Sequence, residues 1–368
     1  MSSRLFLGQA SNYRAGDVLR HTFCFAMRRS EEELVDYLAE KYGTTHDRVV
    51  LMNNGRSAIA AGLKLIVPEG SEVIINGFTC YAVLQAVEKA GCKPVYADIN
   101  RKTLNFDINT LEDVIKKHPG AKALIIQNTL GISVNIAEIE KFAAEHKLVI
   151  IEDLAHCAGM KYLDGREIGS VGAVAALSFG KGKSLDAITG GALIVNDRNL
   201  PIPKKAKKHP KLSDSMRARW YPMLAAIGRG MSKIHLQKYW YGPLIKMHFI
   251  ERAVDAKLSL SQRPAYWQDK LVLRQLKSMK ENPMPIRTHI FVKNRGELIE
   301  KLDKNGYNFR EIWYDVPVSP IRYYKKLNFP ENECPVATEV SSEIINLPTY
   351  YGKTKLHGAL QIIKEYEK

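Results

Sequence analysis

The chain has 368 residues, of which 45% are hydrophobic and 25% charged, and its 54 Lys and Arg against 39 Asp and Glu give a formal net charge of +15. This apolar fraction excludes wholesale disorder, and the length is enough for two or three structural units. The positive charge indicates anionic partners, such as phosphorylated metabolites, nucleic acid or an acidic membrane surface.

The N-terminal segment and the cysteines indicate a cytoplasmic protein. The N-terminal sequence MSSRLFLGQASNYRAGD has no sustained apolar region of the signal-peptide type, and no apolar run reaches the ~20 residues of a transmembrane helix. The five cysteines include no CxxC pair. We therefore expect no disulfide framework, no thiolate zinc site and no other bound metal.

The first half of the chain alternates predicted strands with predicted helices. Runs rich in β-branched residues predict buried strands at 72–75, 94–96, 123–127, 148–152, 175–179 and 192–195. Helical patterns occur at 57–66, 81–89, 111–117 and 136–145, and Asn135 is available as the N-cap of the last. This alternation predicts an α/β fold, with a mostly parallel sheet between helices and ligands beyond the carboxyl ends of its strands.

The pattern changes after about residue 200. Residues 201–252 combine the run PKKAKKHPK with many aromatic residues and do not form a further βα unit. Helical patterns return around 266–280 and 296–304 and after Thr354. We expect a large domain over 1–200, a basic aromatic insert over 201–255 and a smaller C-terminal α+β domain over 256–368.

A loop rich in glycine and lysine follows the strand predicted at 175–179. Its sequence is SFGKGKS, from Ser178 to Ser184. A nucleotide-binding P-loop of the form GxxxxGK[ST] would need glycine where Leu177 stands, so we disfavour that interpretation. Without further context, an ordinary basic loop would be the default.

The context comes from Asp153, which ends the preceding predicted strand, and from His156, which follows three residues later. Each residue alone is more often structural, as a helix N-cap, a metal ligand or a buried imidazole. Together with the lysine loop they match two needs of pyridoxal phosphate, a lysine that forms a Schiff base and an acid that stabilises the protonated ring nitrogen. The third need is a phosphate cradle, and the turn before the helix at 57–66 offers backbone N–H groups at a helix N-terminus.

In this order the segments resemble the DegT/DnrJ/EryC1/StrS family of pyridoxal-phosphate sugar aminotransferases, a branch of the aspartate aminotransferase fold. The resemblance runs from about residue 30 to the end and is interrupted by the insert. The family motifs SGTxAL, AGxxPVFxDID, HxYG and VIEDAAQ are similar to residues 54–59, 90–100, 128–131 and 150–156. Looser matches lie at 261–268, 335–339 and 346–348.

The family motif SFxxxK identifies the Schiff-base lysine. That lysine lies five residues after the serine and seven before a Gly-Gly pair, and both spacings select Lys183. Lys181 is then a neighbouring cation that either helps to bind phosphate or is solvated.

The resemblance implies a fold type I enzyme with pyridoxal 5'-phosphate as cofactor and a homodimer with shared active sites. Lys183 would form the Schiff base and move protons, Asp153 would pair with the ring nitrogen, and His156 would lie near the ring. Further cofactor contacts are implied for Gly55, Arg56, Ser57, Tyr81 and Ser178 of the same chain and for Ser261 or Arg263 of the partner subunit; Arg310 is implied as a substrate contact.

Several positions depart from the family pattern. The stacking aromatic expected directly after Thr79 is Cys80, which leaves Tyr81 as a substitute. Arg56 stands at the threonine of SGT, and Ser261 at the asparagine that the partner subunit normally supplies. The cofactor contacts are therefore expected to survive, whereas the substrate contacts are not inherited.

Three functions follow from the resemblance. The first is amino transfer from glutamate, glutamine or aspartate to a keto-sugar, normally nucleotide-linked, in polysaccharide or glycoconjugate biosynthesis. The second is a sugar dehydratase, but family members of that kind carry His at the Schiff-base position, and Lys183 argues against it. The third is a non-catalytic regulator, which the joint presence of Asp153, His156 and Lys183 disfavours.

The insert accounts for most of the net charge. Residues 204–252 contain twelve Lys or Arg and two acids, a net charge of +10, interleaved with aromatic residues. Such a segment either lies on an anionic membrane face, at the inner side of the membrane, or packs on the body of the protein or the dimer partner. We expect no nucleic-acid binding, since no reading motif is present.

Overall fold

The computed structural model describes residues 5–6, 13, 15–233, 236–247, 249–250, 255–281, 283–309, 312–349 and 353–368. The strands are β1 (Leu5–Phe6), β2 (Val49–Met52), β3 (Glu72–Asn76), β4 (Thr79–Cys80), β5 (Lys93–Ala97), β6 (Ala123–Ile126), β7 (Val149–Asp153), β8 (Val174–Ser178), β9 (Gly191–Val195), β10 (Arg287–Phe291), β11 (Tyr307–Asn308), β12 (Val318–Ser319) and β13 (Ile344–Pro348). The helices are α1 (Ala15–Thr22), α2 (Arg29–Tyr42), α3 (Gly55–Ile66), α4 (Tyr81–Lys89), α5 (Ile108–Lys117), α6 (Ile136–Glu145), α7 (Leu212–Lys233), α8 (Gln237–Lys246), α9 (Tyr266–Ser278), α10 (Arg295–Lys304), α11 (Ile321–Tyr324), α12 (Pro335–Glu343) and α13 (Lys353–Lys364).

Seven strands form the central sheet in the order β2-β9-β8-β7-β6-β3-β5. All of them run parallel except β9, which is antiparallel to both neighbours. The predicted α/β fold with a mostly parallel sheet is therefore confirmed. All six predicted strands belong to this sheet, and the seventh, β2, was not predicted.

Helices cover both faces of the sheet because successive strand residues point to opposite sides. In β2, Val49 and Leu51 pack into the core beneath α2, α5, α6 and α9, whereas Val50 and Met52 pack into the core beneath α3 and α4. Both faces are buried, which explains why the strands read as continuous apolar runs.

Local capping explains where several helices begin. The Asn54 side chain accepts a hydrogen bond from the Ser57 N–H at the start of α3, and Asp107 forms a capping box with Thr110 at α5. Asn135 occupies the N-cap position of α6, as predicted, but its side chain makes no capping hydrogen bond.

The C-terminal part of the chain has a core of its own. Strand β10 pairs antiparallel with β13, and α10 and α13 pack beside them. Strand β12 pairs parallel with β4 and so ties this part to the large sheet. Helix α9 lies after the expected domain boundary at 256 but packs into the core beneath α2, and the C-terminal core begins at Val292.

The insert contains the two helices α7 and α8. Ala218, Tyr221 and Ala225 of α7 are buried in the core beneath α2. The indole of Trp240 in α8 donates a hydrogen bond to the Leu224 carbonyl of α7, at 3.1 Å. No helix in the described part of the chain combines the length and apolar character needed to cross a bilayer.

Candidate active site

The predicted site residues lie at the carboxyl end of the parallel strands. Strand β7 ends at Asp153 and β8 at Ser178, and the two strands are paired neighbours. The N-terminus of α3 reaches the same edge, since a Cβ added at Gly55 would lie only 2.8 Å from the Ser178 Cβ. The sheet therefore brings Asp153, Ser178 and the predicted phosphate turn together.

Lys183 and His156 are in direct contact. The Lys183 Nζ lies 3.0 Å from the His156 Nε2, and the His156 Nδ1 accepts a hydrogen bond from the Leu130 N–H at 3.2 Å. An imidazole whose Nδ1 is an acceptor carries its proton on Nε2 when neutral. The Nε2–H then donates to Lys183, which must be present as the free amine to accept it.

The backbone that orients His156 is itself unusual. Leu130 has a φ of 53°, in the left-handed region that a branched residue rarely adopts. This conformation accompanies the hydrogen bond from its N–H to His156. Strain held at this position is typical of residues that fix a functional side chain.

Electrostatics support the neutral pair. Burial lowers the pKa of His156 well below its usual value, and the charges of Lys183 and Arg287 lower it further. Burial also lowers the pKa of the half-buried Lys183, an effect that Asp153 opposes and Arg287 reinforces. A lysine with a lowered pKa supplies the free amine that a Schiff base requires.

Asp153 is buried with little compensation for its charge. Burial raises the pKa of its carboxyl, although the Ala155 N–H, which donates to it at 3.0 Å, and the nearby Lys183 lower the pKa again. A protonated ring nitrogen placed beside this carboxylate would provide the missing positive charge.

Trp313 is an aromatic residue of the site that the sequence did not single out. Its ring stacks on His156, with centroids 5.0 Å apart and planes inclined by 18°, and the Lys183 Nζ lies 4.9 Å from its centroid. The Arg287 guanidinium lies 4.7 Å from the same centroid. Both residues come from the C-terminal part of the chain and lie outside the motifs that pointed to the site. Their contacts with His156 and Lys183 form only when the chain folds.

The aromatic residue that the sequence did propose lies elsewhere. The Tyr81 ring stacks on Tyr323, with centroids 4.3 Å apart and planes inclined by 12°. Of Tyr81 and its neighbour Cys80, it is Cys80 that interacts electrostatically with Lys183. A role for Tyr81 against the cofactor ring stays a prediction.

The phosphate turn is built from side chains that hold one another. The Ser57 hydroxyl lies 2.6 Å from the Asn53 Oδ1, and the Arg56 guanidinium donates to the Gln85 Oε1 at 2.6 Å and to the Ala256 carbonyl at 2.7 Å. The part of the turn that faces Ser178 is Gly55, which packs so closely on Ser178 that a side chain there would clash. A helix N-terminus without a Cβ in the way suits a phosphate group.

A second set of contacts fixes the loop that carries Lys183. The Asp186 carboxylate accepts hydrogen bonds from the Gly182 N–H and the Tyr13 hydroxyl, both at 2.8 Å, and from the Ile188 N–H at 3.0 Å. Neither Asp186 nor Tyr13 was selected as a site residue from the sequence. Their contacts make them positioning residues for the loop.

Residues 256–263 lie against the phosphate turn of the same chain. The Ser259 N–H donates to the Ser57 Oγ at 3.1 Å, and the Asn53 N–H donates to the Gln262 carbonyl at 2.9 Å. Ser261 contacts Ser259 within this segment. The predicted contribution of Ser261 from a partner subunit is not tested by a single chain.

Arg263 and Arg310 complete the predicted set. The buried Arg263 guanidinium pairs with Asp269 at 2.5 Å and with Glu31, so its side chain holds α2 and α9. Arg310 lies outside the described residues. Among the residues described, no group of three His, Cys, Asp or Glu side chains could hold a metal ion.

The site fits pyridoxal 5'-phosphate on three observations. A lysine free amine is held by a neutral histidine, a buried carboxylate lacks a full counter-charge, and a helix N-terminus with glycine faces Ser178. Lys183, Asp153 and the backbone around Gly55 would hold the carbonyl carbon, the ring nitrogen and the phosphate, respectively.

Comparison with known proteins identifies a matching family and related sequences. A model of the DegT/DnrJ/EryC1/StrS aminotransferase family matches residues 9–220 and 262–359. GDP-perosamine synthase of Caulobacter vibrioides is 26% identical over 339 residues, 88% of this chain and 85% of that protein. The pleiotropic regulatory protein of Geobacillus stearothermophilus is 25% identical and covers 88% of this chain and 84% of its own length.

A solved structure has the same fold. The putative sugar aminotransferase Spr1654 of Streptococcus pneumoniae, in its PMP form, superposes with a TM-score of 0.68. The superposition covers 97% of this chain and 98% of that one at 18% identity. At this identity the likeness concerns the fold alone.

Proposed function

Because this chain belongs to the DegT/DnrJ/EryC1/StrS aminotransferase family, whose members use pyridoxal 5'-phosphate, we propose that it aminates a keto-sugar. The amino donor in this proposal is glutamate, glutamine or aspartate, and the acceptor is nucleotide-linked and serves polysaccharide or glycoconjugate synthesis. The observation that carries the proposal is the contact of the half-buried Lys183 with the buried His156, close to the buried Asp153 at the strand ends. The relative named GDP-perosamine synthase supports a nucleotide-linked acceptor.

The residues of the site have distinct tasks in this reaction. When bound, the cofactor supplies an electron sink for the negative charge that forms next to the transferred amino group. Lys183 binds the cofactor and, as a free amine, takes and returns a proton at Nζ. Asp153 keeps the ring nitrogen protonated, and His156 holds the Lys183 Nζ through its Nε2–H.

Tertiary packing keeps water away from this chemistry. Trp313 covers the His156 ring, and both side chains are buried. The Tyr314 hydroxyl lies 3.5 Å from the His156 Nδ1 and closes the same side. A site closed in this way strengthens the interaction of Asp153 with a cationic ring.

A spectroscopic experiment tests the proposal. We expect the purified protein to be yellow and Lys183→Ala to lose the visible band, whereas the neighbouring variant Lys181→Ala keeps it. Adding amino donors one by one should convert the bound cofactor to its amine form, and keto-sugars should reverse the change. A protein that stays colourless after adding pyridoxal phosphate would contradict the enzyme and favour a regulator, the function in the name of one relative.

The homodimer and the inner-membrane location are further proposals. The family resemblance supports the homodimer with shared sites. The exposed apolar residues of α7 support the membrane contact.

A further inference from the structure

Helix α7 has two apolar faces, of which the protein covers one. Its inner face consists of Ala218, Tyr221 and Ala225, which are buried in the core beneath α2. We define its outer face as the exposed residues Leu212, Met216, Trp220, Met223 and Ile227, whose exposed fractions range from 36% to 78%. At 100° per residue, the outer residues fall within about 80° of arc opposite the inner face.

A surface helix normally has one apolar face, turned to the core, and a polar face turned to water. The outer face of α7 breaks this pattern over about four turns of regular spacing. Single exposed apolar residues are common and need no explanation, but a continuous row of them marks a surface that binds something apolar.

Two exposed phenylalanines extend the outer face. Phe23 and Phe25 are 63% and 74% exposed. The guanidinium of Arg219, next to Trp220 in α7, donates a hydrogen bond at 3.1 Å to the carbonyl of Cys24, which lies between them. The aromatic surface therefore continues from α7 onto the segment after α1.

The charge of the segment that contains the outer face indicates which kind of partner it binds. Residues 204–252 carry a net charge of +10, and one of their two acids, Asp214, is paired with Arg217. A twofold contact between two copies through this face would bring two segments of +10 together, which disfavours a second copy. The complementary surface must be both apolar beneath and anionic above.

We propose that the outer face of α7 docks this protein on the surface of an anionic lipid bilayer. Met216, Met223 and Ile227 enter the boundary between headgroups and acyl chains, and Trp220 lies at headgroup depth. The lysines of residues 204–211 lie against lipid phosphates. The family match ends at residue 220 and resumes at 262, so most of the insert is not shared with the family.

Docking has a consequence for the active site, which rests on the proposed function. The Lys181 Nζ lies 4.3 Å from the centroid of the Tyr221 ring on the inner face of α7. Arg229 of α7 also donates to the carbonyl of Tyr13, whose hydroxyl holds Asp186 in the Lys183 loop. The membrane-bound helix and the catalytic loop are therefore in contact, and docking brings the site close to the bilayer.

Flotation with vesicles tests the docking. The full chain is mixed with vesicles of phosphatidylcholine, with or without phosphatidylglycerol, at low and at high salt. We expect the protein to float with the anionic vesicles at low salt only. The double variant Trp220→Ser and Ile227→Ser should bind at least ~10-fold more weakly, because it loses apolar area that enters the boundary.

The matched control is the double variant Leu163→Ser and Met284→Ser. Both residues lie outside the outer face and, at 89% and 78%, are more exposed than Trp220 and Ile227. This control should float as the unmodified protein does, and both double variants should keep the visible band of the cofactor. The band reports on the proposed function, so its loss and a loss of flotation are distinguishable.

Two results would overturn the proposal. One is an unmodified protein that does not float with anionic vesicles, or floats equally well after the Trp220 and Ile227 substitutions. The other is a variant that floats normally but shows a smaller particle mass, since the outer face would then bind a second copy. Quenching of Trp220 fluorescence by brominated lipid gives an independent readout in a Trp240→Phe background, because Trp240 is half-buried whereas Trp267 and Trp313 are buried.

Discussion

His156 and Lys183 form a hydrogen-bonded pair in which burial lowers the pKa of both side chains. The Leu130 N–H, which donates to the imidazole Nδ1, places the proton of a neutral His156 on Nε2. The reactive amine is thus prepared by residues from three separate segments. A lowered pKa favours the free amine of Lys183, which is the form that reacts with the cofactor.

Arg287 is the residue with which this preparation can be tested. Its buried positive charge contributes to lowering the pKa of Lys183, so Arg287→Gln should raise that pKa. The free amine then appears only at higher pH. We expect the pH profile for the rate of Schiff-base formation between apoprotein and pyridoxal phosphate to move to higher pH.

The control for Arg287 is Arg274→Gln, which removes an exposed arginine from α9. Its pH profile should coincide with that of the unmodified protein. A profile of Arg287→Gln that stays in place, or moves to lower pH, would show that Arg287 does not act on Lys183.

At the scale of elements, an ion-pair group joins α2 to α9. Arg263 lies between Glu31 of α2 and Asp269 of α9. Helix α9 also supports the Lys183 loop, because its Gln275 side chain donates a hydrogen bond to the Asp186 carbonyl at 2.7 Å. Burial, opposed by Arg263, raises the pKa of Asp269 to about 8. A carboxyl with a raised pKa stabilises the fold at low pH, and this contribution is lost as the pH rises towards 8.

Removing the shared cation should enlarge this pH dependence. Arg263→Met removes the positive charge that pairs with both the Glu31 and the Asp269 carboxyl groups. We therefore expect the unfolding free energy at pH 8 to fall by about 3–5 kcal/mol. The loss should be smaller at pH 5, where Asp269 is protonated in the folded protein. Urea denaturation at both pH values measures the difference.

A half-exposed arginine provides the comparison. Arg322 pairs with Asp255 at 2.8 Å, and Arg322→Met should cost less than about 1 kcal/mol at either pH. Equal losses for the two variants would mean that the buried group does not hold α2 and α9 together.

For the whole molecule, the position of residues 256–263 bears on the proposed dimer. This segment covers the phosphate turn of its own chain through Ser259 and Gln262. The Arg263 guanidinium is paired with Asp269 within the same chain. A contribution of Ser261 or Arg263 to the site of a partner subunit stays a prediction.

We expect light scattering to give twice the chain mass of 41.5 kDa at micromolar concentration. Dilution that separates the subunits should also release the cofactor, because a shared site is incomplete in a single chain. A particle of one chain mass that keeps its visible band would contradict the shared sites.

Much of this architecture could be predicted because it depends on local sequence. The strands of the sheet appeared as short apolar runs, and helices α4 and α6 were predicted with the bounds that they have. Strand β2 was missed, since its four residues stand alone before the phosphate turn. The stacking of Tyr81 on Tyr323 and the pairing of Arg263 with Asp269 could not be predicted, because each partner is recognised only once the chain has folded.

The sequence by itself determined the α/β fold, the family and the choice of Lys183, since periodicity, motif order and spacing are properties of neighbouring residues. Only the tertiary structure placed Trp313 on His156 and Arg287 beside the same ring, because packing of the C-terminal part on the strand ends creates these contacts. The same holds for the charge. Composition located it in the insert, but only packing showed which face of α7 the protein buries and which it leaves exposed.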